Sequence, residues 1–441
     1  MAASLEELPL PDELPAIPDG WRYEAIGDLV EEKGVCYGIV QPGSETSDGI
    51  PIVRVNNIRN GRINTSDMLK VEADIESKFQ RSRLRGGEVL LTLVGTLGEV
   101  AIVPQNLRGW NVARAVGVIP VRPDPGSLWV SICLRSAFIQ HCIRTWATTT
   151  VQATFNLRDL AKLPIPIPPK ETREAIAHIL GTLDDKIELN RRMNATLDAM
   201  ARALFQSWFV DFDPVRAKLD GRKPAGLDAD TAALFPAHFQ DSPLGHIPQG
   251  WQAASLGNVI EISDSKRIPL SGREREKRQG QYPYYGAASA MDYVDDFLFD
   301  GIYVLMGEDG SVINDDGTPV LQYVWGKFWV NNHAHVLRGT NGICTEHLLL
   351  HLKNCNIAAF VTGAVQLKLN QGNMNRIEFI LPPPEIGKAF AKTIEPLFAQ
   401  IRANTEQSRT LATLRDALLP KLLNGELLTR RSETFVKEQT I

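Results

Sequence analysis

The chain repeats a long stretch of its own sequence, and this repeat limits the folds that are open to it. The segment IPDGWRYEAIGDLVE begins at Ile17, and the similar segment IPQGWQAASLGNVIE begins 230 residues later, at Ile247. A second match, between residues 150–171 and 364–385, has an offset of 214 residues and shares a Val-Gln pair, an asparagine and a Pro-Pro pair. The first copy is therefore 16 residues longer between its matched ends. A repeat of this size indicates two domains of related architecture.

A heptad pattern follows each copy and predicts a long helix. Apolar and amide residues recur three and four positions apart, which is the seam of a coiled coil. Asn190 and Asn404 fall at equivalent positions. We expect them to be buried and to fix the register of the two helices, the alternative being that both face water. The first seam is Leu180, Leu183, Ile187, Asn190, Asn194, Leu197, Ala201, Leu204 and Trp208, and the second is Ile394, Leu397, Ile401, Asn404, Ser408, Leu411, Arg415, Leu418 and Leu422.

Together these patterns predict an α+β fold. Two mixed, mostly β domains alternate with two long helices, which pair as an antiparallel coiled coil and give the chain an internal pseudo-two-fold. The segment from Gly87 to Pro104 has two apolar runs around a glycine-rich turn, which is typical of a β-hairpin. A further strand pair is predicted around Asn331 and Asn332. The predicted organisation is a flexible N-terminal arm (1–16), a first domain (17–168), a first spacer helix (169–214), a linker (215–246), a second domain (247–383), a second spacer helix (384–425) and a disordered tail (426–441).

Local clusters of positive charge suggest contact with nucleic acid, although the net charge is −5. DNA binding requires a positive surface patch rather than a basic total, and base edges are read by Arg, Lys, Asn and Gln side chains on loops. The alternative is that each basic cluster is simply a solvated face. The candidate DNA-binding residues of the first domain are Arg54, Asn56, Asn57, Arg59, Asn60 and Arg62, with Arg108, Asn111 and Arg114 as second choices. Those of the second domain are Lys266, Arg267, Arg273, Arg275, Lys277 and Arg278, with Tyr284 and Tyr285 nearby.

The sequence lacks the motifs of several enzyme classes. It has no dinucleotide-binding glycine motif, no phosphate-binding P-loop and no amino-methyltransferase tetrad. Its five scattered cysteines do not suggest a disulfide framework. No apolar run is long enough to cross a bilayer, and the acidic, proline-rich start does not resemble a secretory signal. We therefore expect a cytoplasmic protein that makes no membrane contact.

Two groups of residues have the types, but not the spacing, of metal ligands. If the segment TEHLLLHL is helical, Cys344, His347, His351 and Cys355 form a stripe about 16 Å long, which is too long for one tetrahedral zinc ion. His333 and His335 share one face of a strand, but the further ligands of a β-barrel metal site do not follow them. We expect no metal on this chain, and expect His333 to form hydrogen bonds within its domain or to contact DNA.

The order and duplication of these motifs resemble the specificity subunit of Type I restriction-modification systems, over nearly the whole chain. The resemblance implies a non-catalytic subunit with two target-recognition domains, each reading one half of an asymmetric bipartite target in double-stranded DNA. The conserved spacer helices would set the distance between the two half-sites. The resemblance rests on the two IPxGW segments, GEVLLTLVGTLGEVAIV at Gly87, GEDGS at Gly307, GKFWVNNHAHVL at Gly326, the paired Pro-Pro exits, and the helix ends SWFVDFDPVRAK at Ser207 and LLPKLLNGEL at Leu418.

The resemblance also implies partners. Two adenine-N6 methyltransferase (modification) subunits would dock on the helices, and restriction/translocase subunits would join the complex. S-adenosylmethionine, ATP and Mg²⁺ would then belong to those partners, with no cofactor on this chain. Phe205, Trp208 and Phe209 are the candidate docking residues, the alternative being that they pack against the second helix. Competing interpretations are a stand-alone bipartite DNA-binding regulator and a metal-dependent β-barrel enzyme.

Overall fold

The computed structural model describes residues 14–149, 153–363 and 365–427. Most of the predicted N-terminal arm and of the predicted tail lies outside these residues. The chain divides into unit 1, which is Met1–Glu188 with Ser408–Ile441, and unit 2, which is Leu189–Gln407. Each unit therefore contains one repeated domain, part of the helix that follows it and part of the other long helix. None of the described helices has both the length and the apolar composition needed to span a membrane.

The first domain is built around a four-stranded antiparallel sheet with the strand order β2-β10-β7-β8. All residues of β7 and β10 are buried, which explains why their sequences, VLLT and VGVI, are almost wholly apolar. A smaller sheet has the order β6-β3-β9, and β4 and β5 form a hairpin. The elements are β1 Arg22–Ala25, α1 Ile26–Leu29, β2 Cys36–Tyr37, β3 Ile50–Val53, β4 Ile58–Arg59, β5 Arg62–Ile63, β6 Leu69–Val71, α2 Ala73–Glu76, β7 Val89–Thr92, β8 Val100–Ile102, β9 Asn111–Val112, β10 Val116–Ile119, α3 Ser127–Leu134, α4 Ala137–Trp146, β11 Thr148–Thr149, β12 Ala153–Thr154, α5 Leu157–Lys162 and β13 Pro164–Ile167.

The next segment contains the first long helix and the residues predicted to be a linker. The long helix continues into a π-helical turn at Gln206–Val210 and ends where Phe212 takes a left-handed conformation, with φ +54°. Pro214 therefore lies in the first turn of the following short helix. Residues 215–246 are not an extended connection, because Val215 and Phe235 lie in the core of unit 2. The elements are α6 Lys170–Phe205, α7 Asp213–Leu219, α8 Ala229–Leu234, β14 Phe239–Ser242 and β15 Gly245–Pro248.

The second domain has two four-stranded sheets, with the orders β17-β24-β21-β22 and β19-β18-β23-β20. The stretch around Asn331 and Asn332 is not the predicted strand pair, because β23 and β24 belong to different sheets. The elements are β16 Gln252–Ser255, β17 Ile260–Ile262, α9 Gly272–Lys277, β18 Gln279–Tyr285, β19 Ala290–Val294, β20 Phe299–Asp300, β21 Tyr303–Gly307, β22 Leu321–Val324, β23 Lys327–Val330, β24 Ala334–Gly339, α10 Thr345–Lys353, α11 Gln371–Asn375, β25 Glu378–Leu381 and the second long helix, α12 Pro384–Leu423.

The two domains share the main features of their topology. In each, the first strand pairs antiparallel with the last, β1 with β13 and β16 with β25, and we call this pairing the strand clasp. In each, one parallel strand pair, β3 with β9 or β18 with β23, lies in the second sheet. The repeated asparagines Asn156 and Asn370 both cap a short helix by accepting a hydrogen bond from the main chain three residues on. The sequence repeat thus corresponds to a repeated fold.

The two long helices pair in antiparallel orientation within each unit, as predicted. In unit 1, Arg415 donates to Asp184 (2.7 Å). In unit 2, Asn190 donates to the carbonyl oxygen of Asn404 (3.3 Å), while Asn194 donates to Thr405 (3.1 Å). The predicted seam positions are all buried or half-buried. Asn190 and Asn404 are 0% and 4% exposed, so the alternative that both face water is excluded.

Replacing Asn404 by alanine should destabilise unit 2 by about 1–3 kcal/mol, since a buried polar group loses its partner. The Nδ2 of Asn404 donates to Oδ1 of Asn194 (2.9 Å), and Asn404 itself is 4% exposed. Urea denaturation followed by circular dichroism measures the change. The matched control is Gln400→Ala, because Gln400 is exposed and donates to the same amide from outside the interface. If the two variants had the same free energy of unfolding, the Asn404 amide would not stabilise the pairing of the two helices.

Candidate DNA interface

The first candidate loop, after strand β3, is held by its own polar side chains. Asn57 is buried, its Oδ1 accepting from the main chain of Arg54 (2.9 Å) and its Nδ2 donating to the carbonyl oxygen of Asp67 (2.8 Å). Arg54 is half-buried and forms an ion pair with Asp67 (3.0 Å). Both residues therefore shape the loop, and of the two only the partly exposed Arg54 is placed where it can reach a ligand.

The hairpin of β4 and β5 carries the other candidates of the first domain. Asn60 takes a left-handed conformation at the turn, with φ +51°, and its main-chain N–H donates to Glu99 (2.9 Å). Arg62 forms an ion pair with Glu188 on the first long helix (2.9 Å). Asn56 and Arg59 are exposed. Arg59 is therefore exposed on the hairpin, and Asn56 is exposed just before the hairpin in the chain. The ion pair of Arg62 holds the hairpin against the first long helix.

The second choices of the first domain divide in the same way. Asn111 is fully buried and donates to Glu76 (2.9 Å) while accepting from Ser82 (2.7 Å). Arg108 and Arg114 are exposed, and Arg114 lies in the short turn between β9 and β10. Asn111 is therefore part of the core and is not placed to contact the edges of bases.

Three of the basic residues of the second domain are held by internal acidic partners. Arg267 is 12% exposed and contacts Glu308 (2.5 Å), so it is part of the domain interior. Arg275 pairs with Asp292 (3.1 Å) and lies over the ring of Tyr284, which is itself buried. Arg278 pairs with Asp295 (2.8 Å). Their positive charge is largely compensated within the fold, in contrast to the sequence-based expectation.

The other three basic candidates of this segment are exposed. Lys266 precedes helix α9, while Arg273 and Lys277 lie on it. Ser271 caps the helix and exchanges hydrogen bonds with Glu274, which fixes where the helix begins. Tyr285, beyond this segment, is half-buried. The segment thus offers a small set of surface cations suited to phosphate contacts.

The predicted docking residues are part of the core of unit 2. Phe205, Trp208 and Phe209 are 2%, 2% and 6% exposed. All three rings pack against Phe390 of the second long helix, with centroids 4.7–6.3 Å apart. The alternative interpretation, packing against the second helix, therefore describes these residues, and they do not form an open docking surface.

The cysteine and histidine stripe is structural. The Sγ of Cys344 accepts from the main chain of His347 at the start of α10, and the Nε2 of His351 contacts the carbonyl oxygen of Glu378 (3.0 Å). Burial, together with a smaller effect of the nearby His351, lowers the pKa of His347 to about 3. Burial also lowers the pKa of His351, to about 4, although its contact with Glu378 opposes the shift. Both rings are therefore neutral at pH 7.

A different group has the geometry of a metal site. Asp264, Glu308 and His335 bring three ligand atoms within 4.8 Å of one another. Both ring nitrogens of His335 are engaged, by Asp264 (2.6 Å) and by the carbonyl oxygen of Leu369 (2.7 Å). Burial alone would lower the pKa of His335, but its bond to Asp264 raises it overall. Arg267 supplies the positive charge that a metal would otherwise bring. These residues fit a buried ion-pair network better than a metal centre.

Comparison with known proteins decides the family. The model of the Type I restriction modification DNA specificity domain matches residues 18–199 and 248–412, one match for each repeat. The chain belongs to this specificity family. The assignment confirms the resemblance drawn from the sequence motifs, and it places the chain among the DNA-recognition proteins of these systems rather than among their catalytic subunits.

Relatives of the specificity family share the length as well as the sequence of the chain. The Type I restriction enzyme HindI specificity subunit of Haemophilus influenzae is 28% identical over 341 residues, which cover 63% of this chain and 72% of that protein. The MjaIX specificity subunit of Methanocaldococcus jannaschii is 25% identical, covering 77% of this chain and 78% of its own. A solved Type I restriction-modification S subunit from M. genitalium has a TM-score of 0.54 at 15% identity, covering 93% of this chain and 99% of that one. This last likeness concerns the fold.

Proposed function

We propose that the chain is the DNA-specificity subunit of a Type I restriction-modification complex. Each domain reads one half of an asymmetric bipartite target in double-stranded DNA, and the paired helices set the spacer between the halves. Two methyltransferase subunits and the restriction/translocase subunits bind to it, in the cytoplasm, and they bring S-adenosylmethionine, ATP and Mg²⁺. This chain recognises the sequence and carries out no reaction of its own.

The observation that carries this proposal is a repeated strand framework with different exposed side chains. Both domains have a strand clasp, a four-stranded sheet and one parallel strand pair in the same order. The exposed polar groups differ, with Arg59 and Asn56 in the first domain and Asn332 and His333 in the second. Two readers on one framework, each with its own side chains, are suited to a target whose halves are not alike.

The first long helix offers a surface for the methyltransferase subunits. In unit 2 its exposed apolar side chains include Leu189, Met193 and Met200, which are 49%, 37% and 49% exposed. Their spacings of four and seven residues place them on one face of the helix. An exposed apolar stripe on a charged helix supports contact with another protein. We propose this stripe as the docking face in place of the buried aromatic residues at the helix end.

Exchanging the first domain should change one half of the methylated motif. In the experiment, the chain is co-expressed with the methyltransferase subunit encoded beside it, and methylated adenines in the host DNA are mapped. Replacing residues 17–168 by the corresponding domain of a relative should alter one half-site completely and leave the other half and the spacer unchanged, because the helices are untouched. The matched control instead replaces residues 251–381, which include both strands of the second domain's clasp, and should alter only the opposite half of the motif.

Two outcomes would contradict the proposal. If the exchange altered both halves or the spacer, the domains would not be independent readers. If the chain purified alone, bound a specific site tightly and formed no methylating complex, it would be a stand-alone bipartite DNA-binding regulator.

A further inference from the structure

Three turns meet at one end of the sheets in each domain, and equivalent main-chain bonds hold them there. In the first domain the N–H of Ala113 donates to the carbonyl oxygen of Val53 (2.9 Å), and that of Leu93 donates to Ala115 (2.8 Å). In the second domain the N–H of Asn331 donates to Tyr285 (3.1 Å), and that of Glu308 donates to His333 (2.9 Å). We call the set of three turns the three-turn site. It comprises residues 54–57, 94–98 and 113–115 in the first domain, and residues 286–289, 309–311 and 331–333 in the second.

A fourth segment supports the three-turn site in the same way in both domains. Gly95 donates to the carbonyl oxygen of Ala153 (3.2 Å), and Gly310 donates to that of Leu367 (3.0 Å). Both glycines have a positive φ, +76° and +81°, which a residue with a side chain adopts only at a cost in free energy. The two turns are thus built by the same geometry, although their sequences, VGTLG and DGS, differ in length.

This equivalence pairs individual residues of the two domains. Arg114 of the first domain corresponds to Asn332 of the second, since each is the central residue of a three-residue turn between equivalent strands. Arg54 corresponds to Gly286, because each directly follows the residue whose carbonyl accepts the turn's hydrogen bond. Arg114 and Asn332 are both exposed. The main chain is therefore shared while the outward side chains differ.

In the second domain the three-turn site surrounds an open cavity of about 350 Å³. The small residues of the turn 286–289 contribute to its lining, together with the longer side chains of Met291 and Gln366. His333 stands at its edge, 46% exposed and 3.7 Å from Asp309. Asn331 is buried and accepts the main-chain N–H of His333 (2.8 Å), which fixes the turn and leaves Asn332 outside. The small residues of the turn 286–289, beside the polar side chain of His333, leave room for the edge of a base to approach.

The basic segment 264–278 occupies a different place in the topology. It precedes β18, whereas the candidate loop of the first domain follows β3, the strand equivalent to β18. The second-domain counterpart of residues 54–57 is therefore the turn 286–289. Three of the segment's six cations are held by internal acids, and the other three are exposed lysine or arginine side chains. Such cations suit phosphates, which position a protein on DNA without specifying its sequence.

We propose that the bases of the second half-site are read at the three-turn site, with Asn332 and His333 as specificity-determining residues, while Lys266, Arg273 and Lys277 bind phosphates. This inference rests on the proposed function. An asparagine amide donates and accepts together, as adenine edges require, and a histidine ring can do either. Arg114 has the equivalent role in the first domain, where its guanidinium matches the acceptor pair of guanine.

The test compares single variants in the co-expressed methyltransferase complex, with the methylated motif and DNA affinity as readouts. Asn332→Ala and His333→Ala should each lower discrimination at one or two positions of the second half-site by about 5- to 150-fold, the value of one bidentate contact. The first half-site should be unchanged and serves as an internal control. Arg114→Ala should relax the first half-site only.

Arg273→Ala and Lys277→Ala are the matched controls. Each should weaken binding to all sequences alike and reduce the slope of log affinity against log salt concentration by about 1, with the motif unchanged. If the Asn332 and His333 variants kept the second half-site intact, or if the Arg273 or Lys277 variant altered it, the inference would be wrong. A wild-type complex that methylates no split motif would instead contradict the proposed function. Thermal unfolding of each variant separates loss of reading from loss of fold.

Discussion

Replacing Trp208 by alanine should destabilise unit 2 by about 3–5 kcal/mol, the usual effect of removing a large aromatic side chain from a core. The indole is 2% exposed, and its ring centroid lies 5.1 Å from that of Phe235 and 5.4 Å from that of Phe390. No described neighbour is positioned to fill the space that would be left without moving a helix. Urea denaturation of the purified full chain, followed by circular dichroism, measures the loss.

Met193→Glu is the contrasting variant on the same helix. The side chain of Met193 is 37% exposed, and glutamate has a helix propensity close to that of methionine. Its stability should remain within about 0.5 kcal/mol of the wild type, whereas co-purification with the methyltransferase subunit should fall, because a charge is placed in the proposed docking face. The reverse result, a stable Trp208→Ala chain that loses its partner, would restore the aromatic cluster as the docking surface.

Lowering the pH from 7 to 4 should destabilise unit 2 by about 3 kcal/mol through His347 and His351. Burial lowers the pKa of His347 from 6.5 to about 3, and that of His351 from 6.5 to about 4. Between these values and 6.5 the unfolded chain binds more protons than the folded one, so stability falls as the pH falls. For His347 the interval from 6.5 to pH 4 is 2.5 units, at about 1.4 kcal/mol per unit.

His335 acts in the opposite direction, because its raised pKa stabilises the folded state at low pH and that contribution is lost as the pH rises. The pKa values of His347 and His351 are lowered to about 3 and about 4, and we expect this pair to dominate the pH dependence. His351→Gln should flatten the pH dependence between 6.5 and 4, since its amide can still donate to the carbonyl of Glu378 but does not titrate. His246→Gln, at an exposed site, is the control and should leave the curve unchanged. An unchanged curve for His351→Gln would contradict the prediction.

The sequence was sufficient to predict the architecture because the repeat and the heptad seam are local patterns. The positions of Asn190 and Asn404 in the seam predicted their burial. The packing of part of the predicted linker was not evident from the sequence, because only a few of its side chains, such as Val215 and Phe235, enter the core. A heptad pattern does not show where a helix leaves the coiled coil and enters the core of a domain. For this reason Trp208 was predicted to be a docking residue, although it is buried.

The candidate site was harder to predict, because the partners of a charged residue come from distant strands. Arg275 and Arg278 look like free cations in sequence, but Asp292 and Asp295, contributed by the neighbouring strand and the turn after it, hold them. Asn57 and Asn111 have the residue type of a base reader, and only burial shows that they support loops. The equivalence of Arg114 and Asn332 could not be seen from sequence, since the sheets that relate them are formed by pairings across the whole domain.

The strand clasp has a consequence for how such proteins can diversify. Since the first and last strands of each domain lie side by side, the chain leaves a domain close to where it entered, at β1 and β13 or at β16 and β25. The residues between can therefore lengthen, shorten or be replaced by genetic recombination without a change in the path of the helices, and the 16-residue difference between the two copies is an instance of this freedom. If each domain reads one half of the target, as proposed, natural selection can alter one half of the recognised sequence while the other half is inherited intact.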